Sequence, residues 1–175
     1  MDIMISLVKK AQDGDREAFG ELYAEIQKDL YRFAYYTLGN REDAEDAVSE
    51  AFLEGIKGLK NLRDPALFKP WMMRIISIRC KRKIRQYVTN RQKIDPEDIS
   101  EHIIGFDLNT DNDERLALLS ALSTIDYSER TILVLSVVEG FKTREIAHIL
   151  NCPQGTVSSK LYRTLKKLRA ELEKR

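Results

Sequence analysis

The chain has 175 residues, 43% apolar and 33% charged, with 8 Gly, 4 Pro and a formal net charge of +1. That mixture excludes a disordered or low-complexity chain, and the length suits one compact domain or two small ones. No apolar stretch approaches the roughly 20 residues of a membrane span, and the run in MDIMISLVKK is too short for a signal peptide, so a cytoplasmic protein is expected.

With so few breakers the chain should be helical. Asp15 can cap a helix from near Arg16, on which Phe19, Leu22, Tyr23, Ile26, Leu30 and Phe33 follow at helical spacing. Gly39-Asn40 closes it, and Asn40 can cap a second helix. One side of that helix carries Ala44, Ala47, Val48, Ala51, Phe52 and Ile56. The other carries Asp43, Glu45, Asp46, Ser49, Glu50 and Glu54. After a loop at residues 60–66, a third helix runs from about Leu67 to Tyr87 and mixes Trp71, Met72, Ile75, Ile76 and Ile84 with basic residues.

From about residue 88 to 113 the periodicity fails, and turn-rich acidic sequence such as Asp95-Pro96-Glu97-Asp98 takes over. Helical patterning resumes with Leu116, Leu118, Leu119 and Leu122. Asp126 and Glu129 have capping-box spacing for a helix through Val138. A turn at residues 139–142, a short helix from Thr143 to Leu150, a turn at Asn151-Cys152-Pro153 and a long basic helix to about Glu173 complete the chain. The expected architecture is all-α, two small helical domains (1–90 and 113–175) joined by an acidic flexible linker (91–112).

Charge is segregated along this plan. Residues 71–93 hold Arg74, Arg79, Lys81, Arg82, Lys83, Arg85, Arg91 and Lys93 and no acid, whereas residues 94–126 are acidic apart from Arg115. The C-terminal helix turns basic again through Lys160, Arg163, Lys166, Lys167 and Arg169. Two basic faces around an acidic segment suggest nucleic acid as a partner. Cys80 and Cys152, far apart, form no metal-ligand pattern, and each is expected to pack as a small apolar residue. No catalytic constellation, metal site or cofactor-binding loop is present, so the protein is not expected to be an enzyme.

Residues 143–169 have the spacing of a helix-turn-helix. Ala147 supplies the small residue where two helices cross, and Ile146, Leu150, Val157 and Leu161 anchor them. Pro153 suits the first turn of the second helix. Gln154, Thr156, Ser158 and Ser159 make its start small and polar, fit to enter a major groove, with Lys160, Arg163, Lys166 and Lys167 in reach of phosphates or base edges. Spacing alone leaves an ordinary helical hairpin with a solvated basic face as the alternative.

Those same residues resemble the promoter-binding domain of bacterial sigma factors, in which E-I-A…P-x-G-T-V-x-S-R-L-x-R is typical. Glu145, Ile146, Ala147, Pro153, Gly155, Thr156, Val157, Ser159, Leu161 and Arg163 match, while Ser158 and Lys160 replace residues that are usually basic and Arg. Upstream, D-A-E-D-A-V-S-E-A-F at residues 43–52 is similar to the family segment that grips the polymerase clamp, and L-R-D-P-A-L-F-K-P-W-M-M-R-I at residues 62–75 is similar to the loop and helix that capture the melted −10 element. With its short linker, the chain is identified as a member of the extracytoplasmic-function subfamily of the sigma-70 family.

That resemblance implies partners, namely core RNA polymerase, promoter DNA and an anti-sigma factor, with no membrane segment in the chain itself. It implies polymerase contacts at Asp43, Asp46, Ser49, Glu50 and Phe52. It implies −10 DNA contacts at Asn61, Arg63, Asp64, Phe68, Arg74, Arg79, Arg82 and Lys83. For −35 DNA it implies Arg144, Gln154, Thr156, Ser158, Ser159, Lys160, Arg163 and Lys167. The acidic linker and the two small domains can mask each other, so the isolated chain should bind DNA weakly. Two rivals explain less of the sequence: a stand-alone helix-turn-helix regulator and a helical adaptor that binds only proteins.

Overall fold

The computed structural model describes residues 2–91 and 112–174, and these are helical with no strand among them. The expected linker falls on residues 92–111, outside the described residues. In chain order the helices are α1 (Ile3–Gln12), α2 (Arg16–Leu38), α3 (Arg41–Gly58), α4 (Phe68–Arg91), α5 (Asp113–Ser123), α6 (Tyr127–Leu133), α7 (Thr143–Leu150) and α8 (Gln154–Glu173).

Local capping sets most boundaries. Asp15 accepts from the amides of Glu17 and Ala18 at 3.0 and 3.2 Å, and Asn40 accepts from the Asp43 amide at 3.0 Å. Gly39 ends α2 in the left-handed region at φ 68°, where a side chain would be strained. The sequence reading assigned no helix before Arg16, yet α1 forms there, capped by Asp2 through the Met4 amide at 3.0 Å and buried through Leu7 and Val8. Its last residue, Gln12, donates to the carbonyls of Leu59 and Leu62 at 3.0 and 2.8 Å. These bonds tie α1 to the first of the two short 3-10 turns, Leu59–Asn61 and Pro65–Leu67, that connect α3 to α4.

The N-terminal half packs Leu22, Leu30 and Phe33 of α2 against Ala44, Ala47 and Ala51 of α3 and Met73, Ile76 and Cys80 of α4. Each large aliphatic or aromatic side chain so buried contributes about 1.5–3 kcal/mol. Helix α4 meets α2, α3 and α7, so apolar residues are spread around its circumference and it reads poorly as an amphipathic helix.

In the C-terminal half, α6 runs on as a π-turn at Val134–Val138. The capping box expected from Asp126 and Glu129 does not form: neither side chain caps the helix. Asp126 instead accepts from the Ser128 hydroxyl at 3.4 Å, and Glu129 is drawn to Lys167 on α8. Arg130 is fully buried, with Nη1 donating to the Leu122 carbonyl at 3.4 Å and its guanidinium 5.9 Å from the Tyr127 ring centre. Burial pulls its pKa down to about 10, against the opposing pull of Tyr127 and Asp126. Leu122, Ile125 and Leu133 form a small cluster of their own. Ile132, Leu135, Ile146, Ile149 and Val157 join the core of the N-terminal half, so hydrophobic packing runs between the halves.

Candidate polymerase and nucleic-acid interfaces

The α7–α8 turn is built by a left-handed Asn151 at φ 52°, a residue that tolerates this region, with the Cys152 amide donating to the Ala147 carbonyl at 3.0 Å. Pro153 occupies the N-cap position of α8 rather than its first turn. Glu145 accepts from the Lys142 amide at 2.7 Å and so closes the start of α7. Ile146, Ala147 and Val157 are buried at the junction of the two helices. That leaves Gln154, Thr156, Ser158 and Ser159 exposed at the start of α8, with Arg144 and Arg163 exposed beside them. Gln154 bonds the Thr143 hydroxyl at 3.2 Å.

Two basic side chains of α8 already have protein partners. Lys160 Nζ donates to Ser128 Oγ at 2.8 Å, and Lys167 Nζ lies 3.0 Å from Glu129. Both attach α8 to α6 in addition to any role toward DNA. Arg163, Lys166 and Arg169 are the exposed cations of this helix with no ion pair among the described residues.

On α4 the four expected DNA-contacting cations divide by the direction they face. Arg79 and Lys83, expected to face DNA, turn toward α3. Arg79 Nε donates to Glu54 at 2.7 Å, and its guanidinium also lies 3.9 Å from Glu50. Lys83, its side chain only 14% exposed, lies 3.8 Å from Asp46 and 3.9 Å from Glu50. Acidic and basic runs that looked like two separate interfaces therefore neutralise each other in part along the α3–α4 seam. Arg74 and Arg82 remain exposed, as do Lys81 and Arg85.

The α3–α4 connection exposes Asn61, Arg63 and Asp64, and Asp64 caps the second 3-10 turn through the Ala66 amide at 3.0 Å. Phe68 is only 3% exposed and packs with its ring centre 6.2 Å from that of Trp71. It supports the loop from beneath and presents no face to a base. Trp71 is itself half-buried against Gly58.

Asp46, Ser49 and Glu50 of α3 are exposed as expected. Asp43 is half-buried and accepts from the Tyr87 hydroxyl, whose pKa is pushed up to about 12, first by burial and then by that bond. Phe52 is half-buried in an aromatic group, its ring centre 4.8 Å from Phe19 and 3.8 Å from Tyr23, both of them half-buried as well. Ile56, assigned to the buried side, is 46% exposed, and Leu53 is 58% exposed. Asp46, Ser49, Leu53 and Ile56 recur at spacings of three and four, so they share one face. That stripe was readable in the sequence, but the carboxylates around it drew attention away from its apolar members.

The exposed cations and small polar side chains of this arrangement support electrostatic and groove-directed contacts. No group of His, Cys, Asp and Glu suited to a metal ion exists among the described residues. Cys80 is fully buried, and burial pushes its thiol up to about 12, which suits packing.

Residues 22–89 match the family Sigma-70 region 2, and residues 115–168 match Sigma-70, region 4. The chain is 26% identical over 185 residues to the ECF RNA polymerase sigma factor SigW of Bacillus subtilis, covering 98% of each chain. It is 26% identical over 174 residues to the ECF RNA polymerase sigma factor BldN of Streptomyces coelicolor, covering 94% of this chain and 64% of that protein. In fold it is similar to the sigma factor RpoE of Bartonella quintana, solved in complex with the anti-sigma factor NepR, with a TM-score of 0.74, 21% identity and coverage of 89% and 96%.

Proposed function

This chain belongs to the extracytoplasmic-function branch of the sigma-70 family and acts as an RNA polymerase sigma factor in transcription initiation; we propose that its two helical halves divide promoter recognition between them. The observation that carries this reading is that each matched span falls on a helical unit with its own exposed polar face, α2–α4 in one case and α5–α8 in the other.

The α3 face of Asp46, Ser49, Glu50, Leu53 and Ile56 docks on core polymerase. Its apolar centre and charged rim are the usual anatomy of a protein interface. The loop at Asn61, Arg63 and Asp64 receives an unstacked base of the −10 element, while Arg74 and Arg82 hold phosphates of the opened strand. The start of α8 enters the major groove of the −35 element through Gln154, Thr156, Ser158 and Ser159, with Arg144 and Arg163 on the backbone. RNA synthesis itself is the polymerase's chemistry. An anti-sigma factor, the kind of partner found with RpoE, covers the polymerase-binding face. The site of action is the cytoplasm, and no described helix is long and apolar enough to cross a membrane.

Run-off transcription with core polymerase on a promoter library tests the proposal. Leu53→Arg is the control, because Glu50 also lies 3.9 Å from both Arg79 and Lys83 of α4, so that its replacement would not probe docking alone. Promoter-specific transcripts that disappear with Leu53→Arg, while helicity and duplex binding persist, are the expected result. No transcript and no stable complex with core polymerase would leave the stand-alone regulator as the better reading.

A further inference from the structure

We propose that Gln12, the last residue of α1, is a positioning residue for −10 recognition, its side-chain amide setting the shape of the loop at residues 59–67. This rests on the reading that the loop receives a −10 base, and deepens it by naming what holds the loop in shape. Helix α1 precedes the span that matches Sigma-70 region 2, which begins at residue 22.

The half-buried carboxamide of Gln12 directs both of its hydrogens at the loop backbone. Nε2 donates to the Leu59 carbonyl at 3.0 Å and to the Leu62 carbonyl at 2.8 Å. Two carbonyl acceptors can be met only by the NH2 group, so the amide's orientation is fixed by its partners. The Leu59 carbonyl also takes the Leu62 amide at 3.1 Å, which closes the first 3-10 turn. The Leu62 carbonyl has no second donor among the described residues. Leu62 stands where the chain leaves that turn in extended backbone, at φ −72° and ψ 108°. Gln12 thus holds both ends of one turn and fixes the direction in which the chain leaves it.

That direction decides where the base-contacting groups stand. Asn61 lies between the two bonded carbonyls, and Arg63 and Asp64 follow Leu62 directly; all three are exposed. Leu59 and Phe68, at the ends of the loop, are each 3% exposed. Burial of these two anchors the loop but is non-directional, whereas hydrogen bonds have a preferred geometry. Gln12 is itself held in place. Leu7 and Val8 bury α1 in the core, and the left-handed Gly14, at φ 97°, leads straight into the Asp15 cap of α2. The loop is therefore referenced to the α2 framework through one amide.

A side chain that takes this place must donate twice. Glu has the same shape but, when ionised, only accepts, and it would face two carbonyl oxygens. Met fills similar space and donates nothing. Gln12 belongs neither to the α3 docking face nor to α8, so its loss should reach promoter recognition only through the loop. If it served merely to anchor α1, every activity would fall together.

Run-off transcription with core polymerase, on libraries randomised separately in the −10 and −35 elements, tests this role. Hydrogen exchange on the full chain gives an independent reading of the loop. Gln12→Met should reduce the preference among −10 bases by about tenfold and leave the −35 preference and core-polymerase affinity as in the wild type. It should also speed amide exchange at residues 59–67, with α2 and α8 unchanged. In a chain already carrying Asn61→Ala and Arg63→Ala, Gln12→Met should have no further effect on −10 preference. Gln12→Ala replaces Gln12→Met if the latter loses helicity. An unchanged −10 preference, a loss shared equally by the −35 element, or a further loss in the chain lacking Asn61 and Arg63 would each overturn the proposal. Exchange that stays slow at residues 59–67 would overturn it whichever way transcription falls. Absence of transcript from the wild-type chain would instead count against the sigma reading, and would leave the exchange result standing.

Discussion

The helix pairs α3–α4 and α7–α8 carry the proposed contacts, and both bury a small residue at their packing, Gly55 in the first and Ala147 in the second. Both also include a basic helix. They differ in where that basic charge goes. Helix α4 is enclosed by α2, α3 and α7, and two of its cations are engaged by carboxylates of α3. Helix α8 packs on α6 and α7 and keeps its polar N-terminal end open. A run of like charge in a sequence therefore identifies a helix with something to neutralise. Only the packing decides whether the answer comes from the chain or from a ligand.

The largest effect that would sharpen this contrast lies at the tighter seam. A Cβ at Gly55 would stand 2.8 Å from Met72 Sδ and 3.1 Å from its Cε, so the buried thioether must shift to admit it. Gly55→Val should cost about 1–3 kcal/mol, measured by urea denaturation, because overpacking against Met72 outweighs the few tenths of a kcal/mol by which valine is the better helix former. Loss of less than about 1 kcal/mol would mean that the α3–α4 seam is looser than its geometry implies.

These seams also explain what could be read in the sequence. The caps at Asp15 and Asn40 are encoded locally, in residues whose side chains bond the neighbouring backbone, and the bounds of α7 follow from Glu145 at its start and the left-handed Asn151 at its end. Helix α1 has a weak local signal, since its short apolar run fits a leader-like stretch as well as the packed helix that buries Leu7 and Val8. The directions taken by Phe52, Phe68, Arg79 and Lys83 have a different origin. Their partners lie on other helices, and whether an aromatic or a cation faces inward is decided by that tertiary contact. Arg32 and Glu139, 107 residues apart, form an ion pair with no sequence signal.

Enclosure of α4 should also appear in pH dependence. The Cys80 thiol is raised from 9.0 to about 12 by burial, so above pH 9 the unfolded chain releases a proton that the folded chain retains. Stability from this group is full below about pH 9 and is lost as pH rises toward 12. Between pH 8 and pH 10 the loss should be about 1.4 kcal/mol, and Cys80→Ala should flatten that part of the profile. An unchanged slope in Cys80→Ala would place the titration elsewhere.

For the open helix the expected signature is binding without stability. Arg163→Ala should weaken duplex binding by up to about tenfold and lower the salt slope by about 1, while changing unfolding by less than about 0.5 kcal/mol. A stability loss without a change in salt slope would assign Arg163 to the fold and erase the distinction between α8 and α4.

The smallest effect is the most discriminating, because it sets two arginines of one helix against each other. Arg79 is mostly covered and bonded to Glu54, whereas Arg82, three residues on, is exposed. Arg79→Ala removes a packed aliphatic stem and strands two part-buried carboxylates, at a cost of about 1 kcal/mol after allowance for solvent screening. Arg82→Ala removes neither and should leave unfolding within about 0.5 kcal/mol of wild type. Single-stranded DNA binding should respond in the opposite order, weakened more by Arg82→Ala than by Arg79→Ala, since only an exposed guanidinium is free to replace counterions on phosphate. If Arg79→Ala weakened DNA binding more at equal stability, the α3 carboxylates would have to release Arg79 on contact with DNA, and the seam would be a switch rather than a scaffold.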